Sequence, residues 1–124
     1  MSAREPEEAH RLWGERFQAG DLEGLLALYE PGATLAAQPG QSVTGTAAIR
    51  EALAGFLGLG ASFAFRETKP ALRGGDLALL HDSWTMDGTG ADGSPLHLEA
   101  TTADVVRRQP DGTWLFVIDN PWGR

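Results

Sequence analysis

Residues 19–35 run Ala19-Gly20-Asp21-Leu22-Glu23-Gly24-Leu25-Leu26-Ala27-Leu28-Tyr29-Glu30-Pro31-Gly32-Ala33-Thr34-Leu35. Gly20 is placed to end one helix, as a glycine just past the last apolar residue commonly does. Asp21 can then cap the next, in which Leu22, Leu25, Leu26 and Tyr29 form an i, i+3, i+4, i+7 stripe. Pro31-Gly32 stops that helix, and Ala33 to Ala37 reads as a short extended segment closed by Pro39-Gly40.

Upstream, Ala9, Leu12, Trp13 and Phe17 recur at helical spacing between Pro6 and Gly20, with Glu7 and Glu8 suited to a helix N-terminus. Downstream, Thr46 reads as the N-cap of a third helix with Ile49, Leu53, Phe56 and Leu57 on one face. Beyond Gly58 and Gly60 the pattern changes to strands: Ser62 to Leu72, Leu77 to Met86, Leu96 to Arg108 and Thr113 to Asp119. The turn signals between them are Gly74-Gly75, a glycine-rich stretch from Asp87 to Pro95, and Pro110-Asp111-Gly112. Long strands joined by short loops predict antiparallel hairpins. Helices first and a meander last predict an α+β domain spanning residues 1–124, its three helices packed on one face of a curved antiparallel sheet.

Composition removes several chemistries. There is no cysteine among the 124 residues, so disulfides, thiolate zinc sites and a cysteine nucleophile are excluded. The net charge of −7 leaves little material for a basic, phosphate-binding face, so no nucleic-acid partner is expected. No run of about 18 apolar residues is present, and the N-terminus lacks a basic start and an apolar core. The expectation is a cytoplasmic protein with no membrane span.

Two motifs match in letters only. Gly88-Thr89-Gly90-Ala91-Asp92-Gly93 fits G-x-G-x-x-G, but Ser94-Pro95 and a strand follow where a phosphate-binding helix would have to begin, so a hairpin tip is expected. His97-Leu98-Glu99 fits the H-x-E of zinc deaminases without their cysteine ligands, and reads as a salt-linked surface pair. His10 and His81 form no ligand spacing with each other, so no metal and no cofactor are expected. The chemical resource left is mainly carboxylates.

The stretch from Ala19 to Leu35 resembles the SnoaL-like and ketosteroid-isomerase-like branch of the nuclear transport factor 2-like superfamily. Thr44-Gly45-Thr46-Ala47-Ala48-Ile49-Arg50-Glu51 is similar to that family's third-helix start. Asp104-Val105-Val106-Arg107-Arg108, Asp111-Gly112-Thr113-Trp114 and Ile118-Asp119-Asn120-Pro121 are similar to its last two strands. The resemblance implies a cone of three helices against a strongly curved sheet, with one internal pocket and a homodimer formed through the sheet. The same fold serves isomerases, cyclases, hydrolases, dehydratases and non-catalytic binding modules, so fold alone does not select among them.

Ketosteroid isomerases use an aspartate base with an oxyanion hole made of a tyrosine hydroxyl and a protonated aspartate. By the resemblance, Ala37 occupies the position of the base with Gln38 beside it, Trp13 replaces the tyrosine, and only Asp104 has a counterpart. An authentic steroid isomerase is therefore not expected. SnoaL-type cyclases place an acid–base aspartate on a late strand, which corresponds to Asp119. If Asp104 and Asp119 both point into the cone, two carboxyls in one apolar pocket can push their proton affinities apart, leaving one acid and one base. Other readings stand beside this. Asp104 can act as a cap or pair with Arg66, Arg107 or another basic residue, and Asp119-Asn120-Pro121 can be a strand-ending Asx turn.

Four tryptophans suit a flat hydrophobic ligand, each offering area and an orienting N–H. Trp13, Phe17, Gln38, Trp84 and Asn120 are the expected binding residues, while Trp13 and Trp114 read equally as core. Trp84 shares strand parity with Asp82, which predicts an aromatic wall beside an acid. The expected partner is a small polyketide-, steroid- or terpenoid-like molecule, and any chemistry on it is expected to be cofactor-independent acid–base work. The alternative is a ligand-binding or dimeric association module without catalysis.

Overall fold

The computed structural model describes residues 2–124. Three helices, α1 (Glu8–Gln18), α2 (Leu22–Leu26) and α3 (Thr46–Gly58), accompany nine strands. These are β1 (Tyr29–Gln38), β2 (Gln41–Thr44), β3 (Ser62–Glu67), β4 (Leu72–Gly74), β5 (Leu77–Leu80), β6 (Ser83–Thr89), β7 (Pro95–Thr101), β8 (Asp104–Arg108) and β9 (Trp114–Asp119). They form a six-stranded curved sheet in the order β2-β1-β9-β8-β5-β4 and a three-stranded sheet in the order β3-β6-β7. The α+β expectation holds.

Local signals account for the helix boundaries. Glu8 Oε1 accepts from the backbone N–H groups of Arg4 and Glu5 at 2.7 and 2.9 Å, tying off the free donors before α1. Gly20, at φ 69°, takes the left-handed turn that lets the chain reverse into α2. Asp21 caps α2 by accepting from Gly24 N–H at 2.9 Å. The helix ends at Leu26, one turn short of the predicted stripe, and Tyr29 opens β1. Five residues cannot sustain a helix by themselves, and pairing with β9 captures the following segment. The third helix is capped by Gly45 at φ 95°, not by Thr46, whose hydroxyl turns back to Pro31 O.

Two topological features depart from the sequence reading. The sheet is mixed, because β1 runs parallel to β9 while the other pairings are antiparallel. The two strands are far apart in the chain, so a parallel pairing needs no tight connection. The second departure is that the long predicted strands are broken. The segment from Leu77 to Met86 divides into β5 and β6 at His81-Asp82, and the segment from Leu96 to Arg108 divides into β7 and β8 at Thr102-Ala103.

These two breaks lie against each other. Asp82 N–H donates to Thr102 Oγ1 at 3.0 Å, and Thr102 N–H donates to Asp82 O at 2.9 Å. Both chains thus leave one sheet and enter the other at one hydrogen-bonded corner. Between the layers, α1 buries Leu12, Trp13 and Phe17, α3 buries Ile49 and Leu53, and β9 contributes Trp114 and Phe116.

The outer face of the six-stranded sheet carries a continuous transverse row: Leu72, Leu79, Val105 and Ile118, then Thr34 and Thr44, each paired in register with the next. Leu72 and Ile118 are 66% and 45% exposed, which is unusual for large apolar side chains so closely aligned.

Because Asp21 supplies the side-chain cap of a five-residue helix, Asp21→Ala should lower unfolding free energy by about 1 kcal/mol, with Asp21→Asn close to wild type. Urea denaturation midpoints at constant m-value check this.

Candidate active site

The site is built on α1 and on the corner between the sheets. His10 is one turn before Trp13 on the buried stripe of α1, which aims its ring at the ends of β5 and β8. His10 Nδ1 bonds Asp82 Oδ2 at 2.6 Å and His10 Nε2 bonds Asp104 Oδ2 at 2.5 Å. The imidazole is 2% exposed and Asp104 1%. Phe65 stacks on the imidazole with centroids 4.4 Å apart. The remaining carboxylate oxygens are also engaged: Asp82 Oδ1 accepts from Lys69 N–H at 2.8 Å and Asp104 Oδ1 from Asn120 N–H at 2.6 Å.

Asp119, 6% exposed at the end of β9, lies beside Asp104 and within reach of its charge. The Tyr29 hydroxyl donates to Asp119 Oδ2, and Trp13 Nε1–H donates to the Tyr29 oxygen at 3.0 Å. Two hydrogen-bonded chains, Asp82–His10–Asp104 and Asp119–Tyr29–Trp13, therefore meet where the two carboxyls lie side by side.

Burial and charge set the protonation of this chain. Burial alone would lower the proton affinity of His10, but hydrogen bonds and charge from Asp104 and Asp82 prevail and raise its pKa from 6.5 to about 9. His10 is thus an imidazolium near neutrality, donating from both ring nitrogens. For Asp82, burial pulls upward and is outweighed by the His10 and Lys69 hydrogen bonds, so the group titrates below its usual range. Asp119 moves the opposite way: burial first, then the charge of Asp104, push it well above the ordinary carboxyl range. Burial, followed by the charge of Asp119, likewise raises the Tyr29 phenol.

Asp104, Asp119 and His10 face a cavity of about 330 Å³, within the usual range for small-molecule sites. Its walls are Trp13, Phe63, Phe65, Trp84, Met86 and Phe116, and its exposed lining residues, which mark the mouth, include Gln38, Leu59 and Arg124. Among the described residues, no group of three or more His, Asp or Glu side chains is arranged to hold a metal ion.

The residues expected from sequence divide as follows. Asp104, Asp119, Trp13, Trp84 and Gln38 line the cavity. Phe17 does not: it stacks on Trp13 at 5.1 Å and packs in the core beside Phe63. Asn120 is also off the wall and reaches the site through its backbone N–H on Asp104, while its buried Oδ1 has no hydrogen-bond partner among the described residues. Asp104 pairs with His10 in place of Arg66 or Arg107, and the side-chain bond of Asp119 goes to Tyr29. Arg107 instead pairs with Glu30. The predicted surface pair also forms, with His97 between Asp87 and Glu99.

Sequence reasoning missed His10, Asp82 as its partner, and Tyr29. The available signal was a histidine and a tyrosine occupying positions on apolar helical stripes. Ligand spacing could not reveal them, since their partners lie 72, 94 and 90 residues away.

The model of the SnoaL-like domain matches residues 10–117. The chain belongs to this SnoaL-like family. No curated protein matches it in sequence. Among solved structures, a nuclear transport factor 2-like superfamily protein from Salmonella enterica serovar Typhimurium superposes with a TM-score of 0.79 at 16% identity, covering 91% of this chain and 84% of that one. A ketosteroid isomerase-like protein from Erwinia carotovora atroseptica gives 0.78 at 19% identity, covering 91% and 88%. A candidate calcium/calmodulin-dependent protein kinase type II association domain from Thiobacillus denitrificans gives 0.77 at 18%, covering 97% and 95%. At these identities the likeness is one of fold. Within this SnoaL-like chain, no described helix is long and apolar enough to cross a membrane.

The raised His10 value makes stability depend on pH. Below 6.5 the folded and unfolded chains both hold the proton and the stabilisation is fully present. Between 6.5 and about 9 only the folded chain holds it, so stability falls, and above about 9 the contribution is gone. The loss should be of order 3 kcal/mol across that window. Urea midpoints measured from neutral to alkaline pH should show it, and His10→Gln should be weaker near neutrality and lack this alkaline decline.

Proposed function

We propose that this SnoaL-like protein binds a small hydrophobic molecule in the cavity and transforms it by cofactor-independent acid–base chemistry of the isomerase, cyclase or hydrolase type. The observation that carries the reading is the pairing of two buried carboxyls on one apolar wall, Asp104 held against the His10 ring and Asp119 against the Tyr29 hydroxyl. Asp119, held protonated by burial and by its neighbour, is the acid. Asp104, fixed by His10 and the Asn120 N–H, is the base. Trp13 and Trp84 shape the cavity, and Gln38 stands at its mouth. His10, locked by two carboxylates, is a positioning residue in this scheme and leaves the proton transfers to the acids it orients.

An authentic steroid isomerase is disfavoured. Ala37 is absent from the cavity lining and has no proton-accepting side chain, and Trp13 spends its N–H on Tyr29. The size and apolar lining of the cavity support a hydrophobic substrate of the polyketide-, steroid- or terpenoid-like kind. In a turnover screen of such compounds, Asp104→Asn and Asp119→Asn should each lower kcat about 100-fold or more on any substrate found. Binding without turnover in the wild-type protein would favour the non-catalytic module.

The second reading, association, is favoured by the exposed apolar row on the six-stranded sheet. The proposed occupant is a second copy of this chain. A two-fold axis through the row would set Leu72, Leu79, Val105 and Ile118 against their own equivalents, and would let the flanking Arg107 and Glu30 meet opposite charges across the interface. Sedimentation should give a dimer for the wild type and a monomer for Ile118→Lys with the fold retained. A wild-type monomer would reject this arrangement.

A further inference from the structure

The buried end of the cavity is unbalanced in charge. Asp82, Asp104 and Asp119 provide three carboxyl groups, met by the imidazole of His10, the hydroxyl of Tyr29 and the backbone N–H groups of Lys69 and Asn120. One cation faces three acids. His10 is bonded to Asp82 and Asp104, and Asp119 stands beside them bonded to the Tyr29 hydroxyl, with no cation in hydrogen-bond contact among the described residues. Buried charge in excess is costly unless a counter-charge meets it.

The walls point the same way. Tryptophan N–H groups would ordinarily serve as donors to a ligand, but here they are taken: Trp13 by Tyr29, Trp84 by Pro121 O at 2.7 Å, and Trp122 by Ala36 O at 2.9 Å. Both ring nitrogens of His10 are likewise committed to carboxylates, and the Thr102 hydroxyl donates to Leu80 O. What these rings offer a ligand is aromatic surface along the cavity wall, Phe17, Phe63 and His10 covering one side each of Trp13, Trp84 and Phe65. Acceptor oxygens and π-faces recognise cations, while an anion or oxyanion would find few donors except Gln38 and Arg124 at the mouth.

We propose that the cavity selects an organic monocation, an ammonium nitrogen carried on an aromatic or alicyclic body, with the nitrogen at Asp104 and Asp119 and the body among the tryptophan and phenylalanine rings. This rests on the cavity being a small-molecule site, and it narrows the substrate class of that site to amines and quaternary ammonium compounds.

The test uses the intact protein near neutral pH and three probes: phenyltrimethylammonium, its uncharged isostere tert-butylbenzene, and benzoate. Phenyltrimethylammonium should bind at least about tenfold more tightly than tert-butylbenzene, since both desolvated charge and π-faces favour it. Benzoate should be the weakest. Asp104→Asn should weaken the cation by about tenfold and leave tert-butylbenzene within about threefold. Should that variant fail to fold, Trp122→Leu leaves the acid cluster intact and should still weaken the cation more than the isostere. Equal or tighter binding of tert-butylbenzene would overturn charge selection while leaving the small-molecule cavity standing. Tightest binding of benzoate would overturn it in favour of Arg124. Failure of all three probes would overturn both this proposal and the reading of the cavity on which it rests.

Discussion

The interaction on which the site depends is the buried imidazolium of His10, clamped between Asp82 and Asp104. Each of the three comes from a different element or junction: α1, the break between β5 and β6, and the start of β8. None of them would be stable alone in an apolar interior, because an isolated buried charge is expensive. Together they bond at 2.5 and 2.6 Å and tie the first helix to both sheets. Removing one partner leaves a charge without compensation, which is why such clusters are sensitive to single substitutions.

The same clamp sorts the carboxyls chemically. Asp82 and Asp104 sit against the cation, whereas Asp119 bonds Tyr29 and is pushed by burial well above the ordinary carboxyl range. Asp82 and Asp119, both buried aspartates, are thereby shifted in opposite directions by their surroundings. The Tyr29 hydroxyl and the Trp13 N–H extend the order of the site outward along a chain of hydrogen bonds.

Membership of the SnoaL-like family gives the frame and leaves the chemistry to the side chains, as expected of a fold with many uses. Here the distinctive elements are a histidine on the first helix and a tyrosine at the start of β1, in a chain where Ala37 and Trp13 stand at the positions that the isomerase resemblance assigns to base and hydroxyl. A tyrosine hydroxyl still reaches the acidic cluster, but from another element and onto Asp119.

Sequence by itself determined the helix starts, the turns and the general α+β order, because these follow from local physics: Gly20 with positive φ, the Asp21 cap, and the apolar periods of α1 and α3. It also carried Asp104 and Asp119 as candidates through the family resemblance. It could not break the long strands at His81-Asp82 and Thr102-Ala103, since apolar alternation does not register where a chain changes sheets. Tertiary structure alone decided that Asp82 meets His10, that β1 pairs in parallel with β9, and that the tryptophan N–H groups face protein acceptors. Those outcomes depend on groups brought together across 16 to 94 residues, where the energy lies in contacts that no local pattern encodes.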